Sequence, residues 1–92
     1  MKNKRHIPVI TFNELELKQK RPQVYRSLVE GITEAFKNNK HEINLCEVQN
    51  TNTYLTVDKS MWSGSLARAM DFYIKREEYE ECSKIKDLIE RL

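Results

Sequence analysis

The sequence contains few residues that bend or cross-link a chain. Only two glycines, two prolines and two cysteines occur among its 92 residues. Glycine and proline are the strongest local breaks in regular structure. With so few of them, sharp turns should be rare, and most of the chain should lie in helices and strands.

Long apolar runs and an excess of one charge are also missing. No run approaches the ~20 apolar residues that span a bilayer, and none resembles a signal peptide. With only two cysteines, this predicts a cytoplasmic protein in a reducing setting, without membrane contact. The net charge is +2, from 16 basic and 14 acidic residues, which disfavours non-specific nucleic-acid binding as the main function.

The composition otherwise matches a small globular protein. Hydrophobic residues make up 39% of the chain and charged residues 33%, which allows a modest core. We therefore expect a single domain over residues 1–92, in which the basic residues 1–6 form a flexible tail.

No arrangement of residues indicates catalysis or metal binding. His6 and His41 lie far apart, and Cys46 and Cys82 lack the paired spacing of a structural zinc site. His41 and Cys46 are five apart on a predicted strand, so they should point to opposite faces rather than act as a nucleophile pair. The expectation is a protein that is not an enzyme and has no metal or cofactor.

The pattern of apolar residues predicts an α+β fold. Strands are expected at Ile7–Phe12, His41–Val48 and Thr53–Val57, where β-branched and aromatic residues cluster. The last two are joined by the polar residues 49–52 and should form a hairpin. A short helix over 13–20 and a longer one from Pro22 to Asn38 are expected between the first two strands. The prediction is a small antiparallel sheet of two or three strands, covered by helices.

The most regular pattern is in residues 66–92, which should form an antiparallel helical hairpin that turns at Lys75-Arg76-Glu77. Apolar residues recur there at spacings of three and four, at Leu66, Ala69, Met70, Tyr73, Ile74, Tyr79, Cys82, Ile85, Ile89 and Leu92. Acidic residues open the second helix and basic residues become more frequent towards its end, in keeping with the helix dipole. We expect Tyr79, Cys82, Ile85 and Ile89 to complete the core.

The run from Glu78 to Asp87 resembles the core of the UVR motif of nucleotide excision repair proteins. Tyr79 matches the aromatic position of that motif, Glu80 the acid and Cys82 a small residue, and Ile85-Lys86-Asp87 match its end. Cys82 and Ser83 stand where alanines are common, and Lys86 replaces the usual arginine. With Leu66 and Leu92 bracketing the hairpin, the resemblance is confined to residues 66–92, less than a third of the chain. It implies a docking and dimerisation element, not an active site or a repair activity.

These features favour a protein–protein interaction module, an accessory regulator or inhibitor that binds another protein or forms a homodimer. The outward positions of the hairpin are the candidate contacts, together with Trp62, because tryptophan is enriched at binding hot spots. They are Trp62, Tyr73, Arg76, Glu80, Lys84, Asp87 and Arg91. The alternative for Trp62 is that it packs inside, next to a helix cap at Asp58 or Ser60.

Two other functions remain open from the sequence. Nucleic-acid binding would use the basic tail and the Lys18–Arg21 cluster, although the strands lack the basic and aromatic residues of a stacking platform. A small anionic ligand would bind at the start of the helix near Lys59, Ser63 and Ser65, where backbone amides are free to hold an anion.

Overall fold

The structure is a computed structural model that describes residues 7–11 and 13–92. The tail expected at residues 1–6 lies outside the described residues. The element order matches the sequence prediction, with one added 3₁₀ turn. The elements are β1 (Val9–Ile10), α1 (Glu14–Gln19), α2 (Arg21–Lys37), β2 (Glu42–Val48), β3 (Thr53–Asp58), a 3₁₀ turn (Lys59–Met61), α3 (Trp62–Lys75) and α4 (Tyr79–Glu90).

The α+β class is confirmed, but the small sheet is mixed. Its strand order is β1-β2-β3. β2 and β3 form the expected antiparallel hairpin, whereas β1 pairs in parallel with β2, with Val9 opposite Glu47. Two helices, α1 and α2, separate β1 from β2, and such a crossover returns the chain in the same direction. The expectation that β1 would join an antiparallel sheet was therefore wrong.

A β-bulge in β2 decides which of its side chains enter the core. The pairing with β3 shifts between Asn44 and Cys46, so that Leu45 is the extra residue. Alternation alone would place Ile43 and Cys46 on opposite faces. With the bulge between them, both are buried. The carbonyl of Leu45 accepts a 2.7 Å hydrogen bond from the Ser27 hydroxyl of α2, which satisfies the bulged backbone.

The core forms where α2, α3 and α4 meet one face of the sheet. Its cluster is Leu28, Val29, Ile32, Ala35, Ile43, Trp62, Leu66, Ala69, Tyr73, Ile85 and Leu88. Trp62 is fully buried, and its indole nitrogen donates to the Val57 carbonyl at 3.0 Å. Its ring meets the Phe36 ring edge-on at 5.7 Å. A single side chain therefore ties the start of α3 to both β3 and α2.

The C-terminal hairpin turns where the sequence predicts. α3 ends at Lys75 and α4 begins at Tyr79. The amide of Glu77 donates to the Ile74 carbonyl, and the amide of Glu78 donates to the Tyr73 carbonyl, both at 3.0 Å. This pair of bonds is a Schellman motif, which places Glu77 in the left-handed position that glycine usually fills. Its φ is 59°.

Candidate functional site

Two of the candidate contact residues lie inside the protein. Trp62 is fully buried and Tyr73 is 5% exposed, both within the core cluster. A side chain enclosed by its own core cannot form a surface contact, so the assignment of these two residues to a partner surface was wrong. Trp62 instead follows the alternative of a packed residue near a helix cap. Tyr73 lies on the apolar stripe of α3.

The other five candidates are exposed, but three of them have partners within the chain. Arg76 pairs with Glu78 and stacks its guanidinium 5.2 Å from the centre of the Phe72 ring. Lys84 pairs with Glu81 at 3.1 Å, and Arg91 lies 5.8 Å from the centre of the Phe36 ring. Among the described residues, Glu80 and Asp87 form no ion pair. Their carboxylates therefore remain available to a partner.

The expectation that Tyr79 would be buried was wrong, and its aromatic ring lies at the surface. Tyr79 is 63% exposed at the first position of α4, and Ile74 is 48% exposed in the last turn of α3. Both flank the turn that contains Glu77. We call residues Glu77, Glu78, Tyr79, Glu80 and Glu81 the acidic tip. It combines a solvated aromatic ring with four carboxylates at the end of the hairpin.

A second surface feature, which the sequence reasoning missed, lies beside the acidic tip. A cleft of about 410 Å³ separates the start of α2 from α3 and is lined by Arg21, Tyr25, Ala67, Arg68, Asp71, Phe72 and Lys75. We call these residues the basic cleft. Lys75 is paired with Asp71 at 3.1 Å, while Arg21 and Arg68 are outside every ion pair formed by the described residues. The cleft therefore carries two unneutralised guanidinium groups.

The floor of the basic cleft is partly aromatic. The Tyr25 and Phe72 rings are tilted against each other with their centres 4.9 Å apart, and both are partly buried against the core. The i, i+4 spacing of Arg21 and Tyr25 on α2 places a cation and a ring on one helix face. The same holds for Arg68 and Phe72 on α3. The sequence contains both pairs, but only the packing of α2 against α3 brings them together.

A smaller cleft, between the start of α2 and the hairpin turn, has mixed charge. It encloses about 330 Å³ between Pro22, Gln23, Arg26, Tyr73, Arg76, Glu78 and Glu81. Burial raises the pKa of Tyr73 to about 12, and the nearby carboxylates of Glu81 and Glu78 contribute to the rise. The phenol thus stays neutral and cannot serve as a base near neutral pH.

The 3₁₀ turn that precedes α3 already has a carboxylate at one of its amides. Asp58 accepts hydrogen bonds from the Ser60 amide at 3.1 Å and from the Ser60 hydroxyl at 2.8 Å. These bonds lower the pKa of Asp58, so it is ionised near neutral pH. Lys59 lies 6.0 Å from the centre of the Phe36 ring. An anionic ligand near Lys59, Ser63 and Ser65 would therefore meet this negative charge in the turn that precedes α3.

The remaining reactive groups are dispersed. Cys46 is 1% exposed, and burial raises the pKa of its thiol, which lowers its reactivity. His41 is exposed and precedes β2. No three His, Cys, Asp or Glu side chains converge on a metal-sized site in residues 7–11 and 13–92. None of the helices in this part of the chain has the length and apolar character to cross a bilayer.

Comparisons with family models, with curated proteins and with solved structures found no match to this chain. The likeness to the UVR motif therefore rests on the sequence of residues 66–92 alone. The structure adds that Tyr79, at the aromatic position of the motif, and Glu80, at its acidic position, both point into solvent.

Proposed function

We propose that this protein is a non-enzymatic interaction module that docks on another protein, or on a second copy of itself, through its C-terminal hairpin. In this role it acts as an accessory regulator or inhibitor of its partner. The observation that carries the proposal is the exposure of Tyr79 at the tip of the hairpin. Tyr79 is 63% exposed and lies outside the core cluster. Aromatic residues are, however, enriched where protein interfaces are tightest.

The neighbourhood of Tyr79 supports the same surface. Ile74 is 48% exposed on the other side of the turn and adds apolar area. Glu77 holds a left-handed conformation, with φ of 59°, in which residues other than glycine are strained. Strain of this kind collects at functional sites, where the surrounding structure holds it in place. The turn of the hairpin thus combines apolar exposure, charge and strain.

The test is affinity capture from a lysate of the source cells, combined with light scattering of the purified protein. We expect Tyr79→Ser to abolish capture of a partner that the wild type binds, without loss of folding. Met61→Ser is the matched control, because Met61 is 61% exposed and precedes α3, away from the hairpin turn. A strictly monomeric protein that captures nothing would refute the docking function. Equal capture by wild type and Tyr79→Ser would refute the assignment to the tip.

A further inference from the structure

The acidic tip and the basic cleft are complementary surfaces that lie next to each other on one molecule. Lys75, the last residue of α3, lines the cleft, and the tip begins two residues later. We propose that the acidic tip of one copy binds in the basic cleft of a second copy, and that this reciprocal contact forms a symmetric dimer. The proposal rests on the docking function above and names both the partner and the surface that receives the tip.

The unpaired charges of the two surfaces match in number. Within the tip, Glu78 is paired with Arg76 and Glu81 with Lys84, which leaves Glu77 and Glu80 outside the ion pairs of the described residues. Within the cleft, Lys75 is paired with Asp71, which leaves Arg21 and Arg68 outside the ion pairs of the described residues. Two carboxylates on one copy therefore face two guanidinium groups on the other. Such complementarity fixes the register of an interface and favours the right partner.

The apolar parts of the two surfaces also correspond. The ring of Tyr79 projects from the tip, and Ala67 with the exposed parts of Tyr25 and Phe72 forms the apolar part of the cleft. Aromatic rings readily pack edge-on against one another. An aromatic anchor surrounded by ion pairs has the layout of an interface with a desolvated centre and a polar rim.

The adjacency of tip and cleft favours a closed dimer over an open chain of molecules. In a twofold arrangement each surface of one copy meets the other surface of its partner, and both contacts form at once. When the two patches are neighbours, a single twofold axis that passes between them allows both contacts to form. Patches on opposite sides of a molecule would instead link copies head to tail.

The cleft suits a protein segment better than a nucleic acid. Phe72 is already contacted by Tyr25 at 4.9 Å, by Tyr73 at 5.1 Å and by Arg76 at 5.2 Å. With two rings and a guanidinium already against it, the exposed part of the Phe72 ring suits an edge-on contact better than a stacked base, and stacking supplies much of the binding of single strands. Lys20, from the basic cluster before α2, is paired with Glu16 and bonds the Val9 carbonyl, so it is partly neutralised.

Charge reversal on either side of the contact tests the proposal. We expect the wild type to dimerise with increasing concentration in light scattering, and added salt to dissociate the dimer. Arg68→Glu cancels the net positive charge of the cleft, and Glu80→Lys halves the net negative charge of the tip. Each variant alone should self-associate at least about tenfold more weakly, equivalent to about 1.4 kcal/mol. An equimolar mixture of the two should restore dimers, because one contact then joins an unchanged tip to an unchanged cleft and the other joins the two reversed charges.

Two controls carry the same changes in charge elsewhere. Lys40→Glu and Glu42→Lys lie beyond the C-terminal end of α2, while Arg21 lies at its start. Seventeen helical residues, about 26 Å at 1.5 Å per residue, separate the two ends. Both controls should dimerise like the wild type. A mixture of Arg68→Glu and Glu80→Lys that stays monomeric would overturn the proposal.

The failure of this proposal is distinguishable from the failure of the docking function. A wild-type protein that is monomeric at every concentration, but captures another protein through Tyr79, overturns self-docking and leaves the docking function intact. Monomeric wild type that captures no protein overturns both. Monomeric wild type that binds labelled RNA, with binding lost in Arg68→Glu, overturns self-docking and assigns the cleft to nucleic acid instead.

Discussion

Tyr73 and Tyr79 form a matched pair for testing which face of the hairpin holds the core. Tyr73 is 5% exposed and Tyr79 is 63% exposed, although they are six residues apart. A buried aromatic side chain removes about 150–250 Å² from water, which corresponds to about 4–6 kcal/mol at ~25 cal/mol per Å². That figure is an upper bound, because unfolded chains are already partly collapsed. We expect Tyr73→Ala to cost about 3 kcal/mol, the low end for such truncations, and Tyr79→Ala less than about 0.5 kcal/mol.

Urea unfolding of dilute protein, followed by fluorescence, measures this difference. Trp62 is the only tryptophan and is fully buried, so its emission reports global unfolding. The midpoint should fall sharply for Tyr73→Ala and barely for Tyr79→Ala, with similar slopes. Tyr73→Phe keeps the ring and should fold if Tyr73→Ala does not, with a loss well below that of removing the ring. Equal losses for Tyr73→Ala and Tyr79→Ala, or a larger one for Tyr79→Ala, would contradict the placement of these residues.

Four other perturbations follow from local geometry. Gly64→Ala should raise stability by about 0.5–1 kcal/mol in thermal melts, because a Cβ there meets nothing within 4 Å and the residue lies in α3. Ser27→Ala should cost about 1 kcal/mol in urea unfolding, since it removes the hydroxyl donor to the bulged Leu45 carbonyl. Glu77→Gly should raise stability by about 1 kcal/mol by relieving the left-handed strain, while its loss of a tip carboxylate weakens self-association. Stability should fall as pH rises from 10 to 12, because the pKa of Tyr73 is raised to about 12 in the folded protein and the unfolded chain loses that proton first. Denaturant titrations across this pH range measure the fall, which should be smaller for Tyr73→Phe.

The order of elements was predictable because it depends on local patterns. The apolar spacing of α2, α3 and α4, the Asn-rich link of the β2–β3 hairpin and the break at Lys75-Arg76-Glu77 each lie within one segment. The parallel pairing of β1 was not predictable, since it is a contact between distant segments through a strand of only two residues. The bulge at Leu45 was also missed, although the imperfect alternation of β2 was visible in the sequence.

The basic cleft shows the limit of reasoning from one helix at a time. Arg21 and Arg68 lie on different helices, and nothing in either segment specifies how α2 crosses α3. The charges of the acidic tip were visible in the sequence, because all four carboxylates lie within five residues. A cluster within one segment can be read directly, whereas a cluster between segments requires the tertiary packing.

The position of Tyr79 follows from helical angles once the buried face of α4 is known. Tyr79 and Leu88 are nine positions apart, which places them on opposite sides of the helix at 3.6 residues per turn, and Leu88 is buried. The three-residue spacing between Tyr79 and Cys82 suggested that Tyr79 would be buried, but Cys82 lies only at the edge of the apolar stripe of α4. Glu78, four residues before Cys82, lies on the same side of the helix as that stripe and is only partly exposed. The ring of Tyr79 lies outside the core cluster, and Glu77 ends α3 in a left-handed position where glycine would be less strained. The binding role proposed for the tip accounts for an aromatic residue and a glutamate at these two positions.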